Sequence, residues 1–209
     1  PLALCNNGGA AVYDFRQATD TTSNNLWIVM LESGGWAYDV TSYNFRSTDG
    51  FYQKYTQPYS EAFIYQGSST CRADATPGCY GIFNPSVYDP ATDQSLMEND
   101  AFAMSLKRAN YAYIRYCTSD AHLGNVSQAE AGFGGPGGFR GLHVVRTVIQ
   151  ELVVKEGMGS IEGTKLVFGG FSAGSRGAMN IINDELTHWF SEFDTTYGTK
   201  LVERVSIFG

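Results

Sequence analysis

Gly170-Phe171-Ser172-Ala173-Gly174 sets a serine between two glycines, each two positions away. The apolar run 165–169 (KLVFG) leads straight into it, and a helical pattern follows from Ala173, so the serine stands at a strand–turn–helix junction. Such a turn strains the backbone and lifts a hydroxyl above the sheet, where it can attack a carbonyl carbon. The glycines suit this geometry because neighbouring chains pass too close for side chains. The Ala173 amide, at the start of the helix, would face the oxyanion that such an attack creates. The alternative is a Gly/Ser turn opening an ordinary helix.

A second donor to that oxyanion has a candidate far upstream. Gly34-Gly35-Trp36 follows the strand-like run Leu26–Leu31 through Glu32 and Ser33. A glycine-rich turn in this place can aim the amides of Gly35 and Trp36 into the same site, although a plain turn would read alike. A base and an orienting acid are also required; in the α/β-hydrolases, whose strand–turn–helix serine this one resembles, they follow the serine in the order Asp then His. Only His188 follows Ser172, with Asp184 and Asp194 near it. If 173–190 is one helix, His188 lies 16 residues on, roughly 24 Å along the axis at about 1.5 Å per residue, and cannot reach. His143 falls within an amphipathic helix, where a structural or solvent-facing role is expected. His122, in the loop after Cys117, could border the pocket. The Asp and His of the relay are therefore expected beyond residue 209.

The elements that must position these groups can be read from periodicity. Residues 11–15, Leu26–Leu31, 62–65 and 111–116 are short, β-branched and aromatic, and read as strands. From about 139 to 156, Leu142, Val145, Ile149, Leu152 and Val153 recur at helical spacing, and Gly157 and Gly159 stop the helix. The strand 165–169, the helix 173–190 and a strand at 202–208 complete an alternation that implies a parallel sheet with crossover helices. The stretch 50–98 is loop-rich. Gly132-Phe133-Gly134-Gly135-Pro136-Gly137 fits a dinucleotide fingerprint in letters only: no strand leads into it, and Pro136 and Gly138 mark a loop.

Composition narrows the partners. The 209 residues carry 14 basic and 21 acidic side chains, a net charge of −7, which argues against nucleic acid. An apolar content of 43% is enough for a large core. No apolar run approaches the roughly 20 residues of a membrane span. No spacing suits a metal or other cofactor, so none is expected. Among the four cysteines, Cys71 and Cys79 bracket a short loop that suits a local disulfide, and Asn125-Val126-Ser127 is a glycosylation sequon. Together these features favour an oxidising, extracellular setting.

Five collinear blocks resemble the pectin acetylesterase family, which also contains the carboxylesterase Notum. They are CNNGGAAVYDF from Cys5, WIVMLESGGW from Trp27, YIRYCTSD from Tyr113, FRGLHVVRTVIQELV from Phe139 and LVFGGFSAGSRGAMNIIND from Leu166. The resemblance implies an α/β-hydrolase fold, a mostly parallel central sheet with helices on both faces. It implies a secreted serine carboxylesterase with no metal, with Ser172 as nucleophile and the amides of Gly35, Trp36 and Ala173 as oxyanion hole. It also pairs Cys5 with Cys117. The substrate would be a polysaccharide or another acylated molecule, an acetyl ester of a polysaccharide above all. Members often carry cysteine just after GGW, where Ala37 and Tyr38 stand here, and plant members often have cysteine in place of Phe171.

Counted on that fold, Leu26–Leu31 is the third strand, 111–116 the fourth, 165–169 the fifth and 202–208 the sixth. Residues 1–209 then form the N-terminal portion of a single α/β-hydrolase domain. Its last strands, with the Asp and His, would come from a C-terminal portion of the same domain, as further sequence or a second chain. A hydrolase fold reused as an inactive extracellular binding or structural module is the alternative.

Overall fold

The computed structural model describes residues 3–18, 21–49, 53–57 and 108–209. The strand read at 62–65, the Cys71/Cys79 pair and most of the loop-rich stretch 50–98 lie outside the described residues. The described elements are β1 (Tyr13–Arg16), β2 (Leu26–Leu31), α1 (Val40–Thr48), β3 (Asn110–Ile114), α2 (Gln128–Ala131), α3 (Gly141–Val154), β4 (Thr164–Gly170), α4 (Ala173–Asp184), α5 (Leu186–Tyr197), α6 (Leu201–Arg204) and β5 (Val205–Phe208). Their five strands form one sheet in the order β1-β3-β2-β4-β5. β1 runs antiparallel to β3, and every other pairing is parallel. The class is α/β, as the alternation of elements implied.

The central strand β2 is buried along its whole length, as expected of a parallel strand covered on both faces. Trp27, Val29 and Leu31 share one face with Ala112, Ile114, Leu166 and Phe168, and α3, α4 and α5 pack there through Val145, Ile149, Leu152, Ile181, Trp189 and Phe190. On the opposite face Leu26, Ile28 and Met30 are buried with Tyr111 and Tyr113. Of the apolar stripe read on α3, Val145, Ile149, Leu152 and Val153 are buried in the core, joined by Val144 and Val148, while Leu142 is only partly buried.

Several elements differ from the sequence reading, among them the first strand, read at 11–15 and observed at Tyr13–Arg16. The helix read over 173–190 is two helices that meet at Glu185. Gly174, Gly177, Ala178 and Ile181 are the buried stripe of α4, while Leu186, Trp189, Phe190 and Phe193 are that of α5. At about 100° per residue the second stripe is out of phase with the first, so one straight helix could not bury both. The strand read over 202–208 begins only at Val205, because 201–204 forms a helical turn. The Asp194 carboxylate accepts the Leu201 and Val202 amides at 2.6 and 3.0 Å and draws these residues out of the sheet. The strand at 111–116 is assigned as Asn110–Ile114, and α1 and α2 were not foreseen.

A disulfide joins Cys5 to Cys117. It ties the N-terminal segment to the end of β3, where the Asn6 amide also donates to the Cys117 carbonyl at 3.0 Å. The glycine-rich loop 132–138 serves this same segment. Gly137 donates its amide to Asn6, and the Asn6 side-chain amide donates to the Gly138 carbonyl at 2.7 Å.

Candidate functional site

β2 and β4 are parallel neighbours with Leu31 opposite Gly170, so the two turns that follow them leave the sheet side by side. This is the C-terminal edge of the strands, where open α/β sheets place their ligands. The Phe171 amide extends the ladder by donating to the Leu31 carbonyl at 3.2 Å. Ser172 comes next, with φ 50° and ψ −111°, a conformation that L-residues rarely hold. Its side chain makes no capping bond to α4, and the residue is exposed.

The two flanking glycines are there for lack of room. A Cβ on Gly170 would run into the backbone of Gly174, and one on Gly174 into the carbonyl of Leu31. The first turn of α4 therefore rests directly on the end of β2. The Ala173 amide sits in that turn, with Ala173 itself buried.

The turn after β2 is formed by Gly34 (φ 152°) and Gly35 (φ 64°), backbone that favours glycine. Gly34 lies between the rings of Tyr55 and Tyr116, where a Cβ would come within 2.8 Å of both. The turn is held from below. Arg46 of α1, almost fully buried, donates from Nη1 to the Gly34 carbonyl at 2.7 Å and from Nε to the Ser119 hydroxyl at 3.1 Å. The Ala37 amide donates to the Ser119 carbonyl at 2.8 Å. Trp36, 40% exposed, lies under the Arg176 guanidinium, 4.9 Å from the ring centre, which links the turn to α4. Beside the turn opens a cleft of about 500 Å³ lined by Gly35, Trp36, Tyr38, Asp39, Phe45 and Arg46, among others.

Beneath both turns runs the loop after β3. Ser119, Ala121 and His122 all have positive φ. Such strain persists only where the surroundings fix it, and the Asp120 carboxylate does so. It accepts the Thr118 hydroxyl at 2.6 Å and the amides of His122, Gly124 and Gly141 at 3.0, 3.2 and 2.7 Å. Burial raises the Asp120 pKa to about 6, against the pull of these bonds from Thr118, Gly141 and His122. The His122 ring packs on Tyr116 at 4.5 Å and contacts the Glu32 carbonyl through Nε2 at 2.9 Å. A carbonyl only accepts, so Nε2 carries the proton. Burial lowers the His122 pKa to about 4, partly offset by that bond.

The other histidines lie elsewhere. His143 is on α3, its pKa lowered by burial and then by Arg140 and Arg146. His188 is exposed on α5 and lies 3.3 Å from Glu192, on a different helix from the one that Ser172 opens. Asp184 ends α4, and Asp194 is occupied in capping α6. The structure thus brings Ser172 and Ala173 beside the turn of Gly35 and Trp36, while His122 has its Nε2 on the Glu32 carbonyl, His143 lies on α3 and His188 on α5. Sequence reasoning passed over Arg46, Ser119 and Tyr55. Nothing local marks them, since each acts through a contact with residues distant in the chain. Asp120 had a weak signal, as a Thr-Ser-Asp run directly after a strand.

Asn125 is exposed. Among the described residues no cluster of His, Cys, Asp or Glu could hold a metal ion, and no helix is long and apolar enough to cross a membrane.

Residues 91–196 match the family profile described as pectinacetylesterase. Pectin acetylesterase 7 of Arabidopsis thaliana is 27% identical over 180 residues, which are 85% of this chain and 36% of that protein. Palmitoleoyl-protein carboxylesterase notum2 of Xenopus laevis is 25% identical over 178 residues, 85% of this chain and 29% of that protein. The chain thus spans about a third of the length of these relatives. Two crystal forms of the Wnt deacylase Notum from Drosophila superpose with TM-scores of 0.61 and 0.64 at 22% identity. They cover 99% of this chain and 47% and 48% of theirs, a likeness of fold. The profile takes in more than half of the residues, and the chain belongs to the pectinacetylesterase family.

Proposed function

We propose that this chain is the N-terminal portion of a secreted serine carboxylesterase. The observation that carries the reading is the placement of Ser172, in its strained turn, at the same sheet edge as the Gly34-Gly35 turn of the neighbouring strand. In the proposed reaction Ser172 Oγ attacks the ester carbonyl, and the oxygen, now negative, is met by the amides of Gly35, Trp36 and Ala173. The intermediate collapses with loss of the alcohol. Water then releases the acyl group from the serine and restores the hydroxyl.

A histidine must take the serine proton and return it to the leaving alcohol. His122 has its Nε2 on the Glu32 carbonyl, and His143 and His188 sit on other helices. We therefore place the base and its orienting aspartate in the part of the domain that the longer relatives have and these 209 residues do not. No metal or other cofactor enters the scheme.

For the substrate we favour an acetyl ester of a polysaccharide, on the strength of the family profile and the Arabidopsis relative. The cleft beside Trp36, with Tyr38 and Phe45 on its walls, offers apolar and hydrogen-bonding surface together. The Cys5–Cys117 disulfide and the exposed sequon at Asn125 support an oxidising, extracellular location.

The test is fluorophosphonate labelling of the native full-length protein, followed by peptide mapping. Adduct on Ser172 is the expected result. A full-length protein that stays unlabelled would instead have kept the fold as a binding or structural module.

A further inference from the structure

Oxyanion stabilisation depends on donors that point the right way before charge develops. In a glycine pair that direction is not fixed by the local chain, because glycine accepts both signs of φ. The Gly34–Gly35 peptide could turn over and present its carbonyl oxygen where the proposed reaction needs an N–H. Something outside the turn must choose.

We infer that Arg46 is a positioning residue that sets the direction of the Gly35 amide, a role that rests on the esterase reading for its catalytic meaning. In a trans peptide the carbonyl of one residue and the N–H of the next point in opposite directions. Arg46 Nη1 holds the Gly34 carbonyl at 2.7 Å from the α1 side, so the Gly35 N–H is aimed the other way. A bond from a charged donor is roughly twice as strong as a neutral one, which raises the cost of turning the peptide over.

The guanidinium is itself fixed. Its Nε donates to the Ser119 hydroxyl, and its Cζ lies 5.6 and 6.0 Å from the ring centres of Tyr55 and Tyr116. Those two rings also enclose Gly34. The Ser119 hydroxyl donates onward to the Tyr55 carbonyl at 3.0 Å, and its main-chain carbonyl takes the Ala37 amide. Arg46 and Ser119 are therefore one brace that grips the turn at the Gly34 carbonyl and again at the Ala37 amide. Lysine has a single ammonium and cannot span both Gly34 and Ser119 as the planar fork does.

The experiment compares full-length parent, Arg46→Met, Arg46→Lys and Ser119→Ala on p-nitrophenyl acetate, with thermal unfolding as a check on folding. For Arg46→Met the expected loss is on the order of 10²-fold in kcat, as for removal of one oxyanion donor, with KM within about threefold. Arg46→Lys should recover part of the loss, and Ser119→Ala should lower kcat by up to about tenfold at unchanged KM. An Arg46→Met enzyme with the parent's kcat, or one whose whole deficit lies in KM, overturns the role. Should Arg46→Met fail to fold, Arg46→Lys and Ser119→Ala decide by the same split. A crystal structure of Arg46→Met separates this inference from the esterase reading. A Gly34–Gly35 peptide that is reversed or split between two orientations supports the brace, and one left as in the parent refutes it. An unlabelled parent refutes only the esterase reading.

Discussion

Gly174 lies against the carbonyl of Leu31, so close that a methyl group there would overlap it and would come within 2.9 Å of the Glu32 carbonyl as well. The second glycine of the serine motif thus faces the last residues of the strand that carries the other turn. Distance between the two halves of the site is set by backbone packed on backbone. Gly174→Ala should separate them, at a cost of at least the roughly 1–3 kcal/mol typical of an overpacked core. Thermal unfolding and fluorophosphonate labelling rate should fall together. A variant as stable and as reactive as the parent would mean that this contact does not set the spacing.

Ser172 holds φ 50° and ψ −111° without a side-chain cap. Backbone strain of this kind costs on the order of 1–3 kcal/mol, and glycine relieves it. Ser172→Gly should therefore raise the melting temperature relative to Ser172→Ala, while both abolish labelling. Calorimetry on the two variants checks this. Equal melting temperatures would show that the turn is not strained at this residue.

The Cys5–Cys117 bridge closes a loop with a sequence separation of 112. On chain-entropy grounds a loop of about 100 residues stabilises by roughly 4.7 kcal/mol, and loss of a native bridge typically costs about 2–5 kcal/mol. Cys5→Ser with Cys117→Ser should lower the denaturation midpoint by a corresponding amount. Because the segment around Cys5 contacts Thr118 and Gly138 rather than Ser172, labelling of the still-folded fraction should persist.

Asp120 and His122 titrate against each other in the stability profile. Burial raises Asp120 to about 6 from 3.8, so the folded state prefers its protonated form. The stability linked to that proton is full below 3.8 and is lost as pH rises through 6. Burial lowers His122 to about 4 from 6.5. Its contribution is present above 6.5 and is lost as pH falls through 4. Between pH 4 and 6 the two slopes, each about 1.4 kcal/mol per pH unit, oppose one another. Relative to the parent, His122→Gln should lose stability as pH rises across this window, and Asp120→Asn should gain it. Chemical denaturation from pH 4 to 6.5 reads both signs, and parallel profiles for all three proteins would exclude the pairing.

The elements that follow strict periodicity were legible in the sequence. β2 and β4 are compact apolar runs, and α3 carries its core stripe at helical spacing, so burial alone selects their conformation. Much of the site was legible for the same reason. The serine turn needs two glycines at fixed offsets, and the second turn needs adjacent glycines directly after a strand, both of them local demands that leave letters behind. What was not legible depends on partners far away in the chain. The break at Glu185 follows from two stripes that must meet one sheet, and the helical turn at 201–204 follows from the Asp194 carboxylate.

Arg46 shows the limit most plainly. In sequence it is an unremarked arginine in a short polar helix, 12 residues from Gly34 and 73 from Ser119. Only the folded chain brings its fork between that carbonyl and that hydroxyl. The sequence by itself determined that a serine and a glycine turn would stand at strand ends, because strand and turn propensities act over a few residues. The tertiary structure decided which way the turn's amides face, because a hydrogen bond between distant segments exists only after the sheet has set their separation.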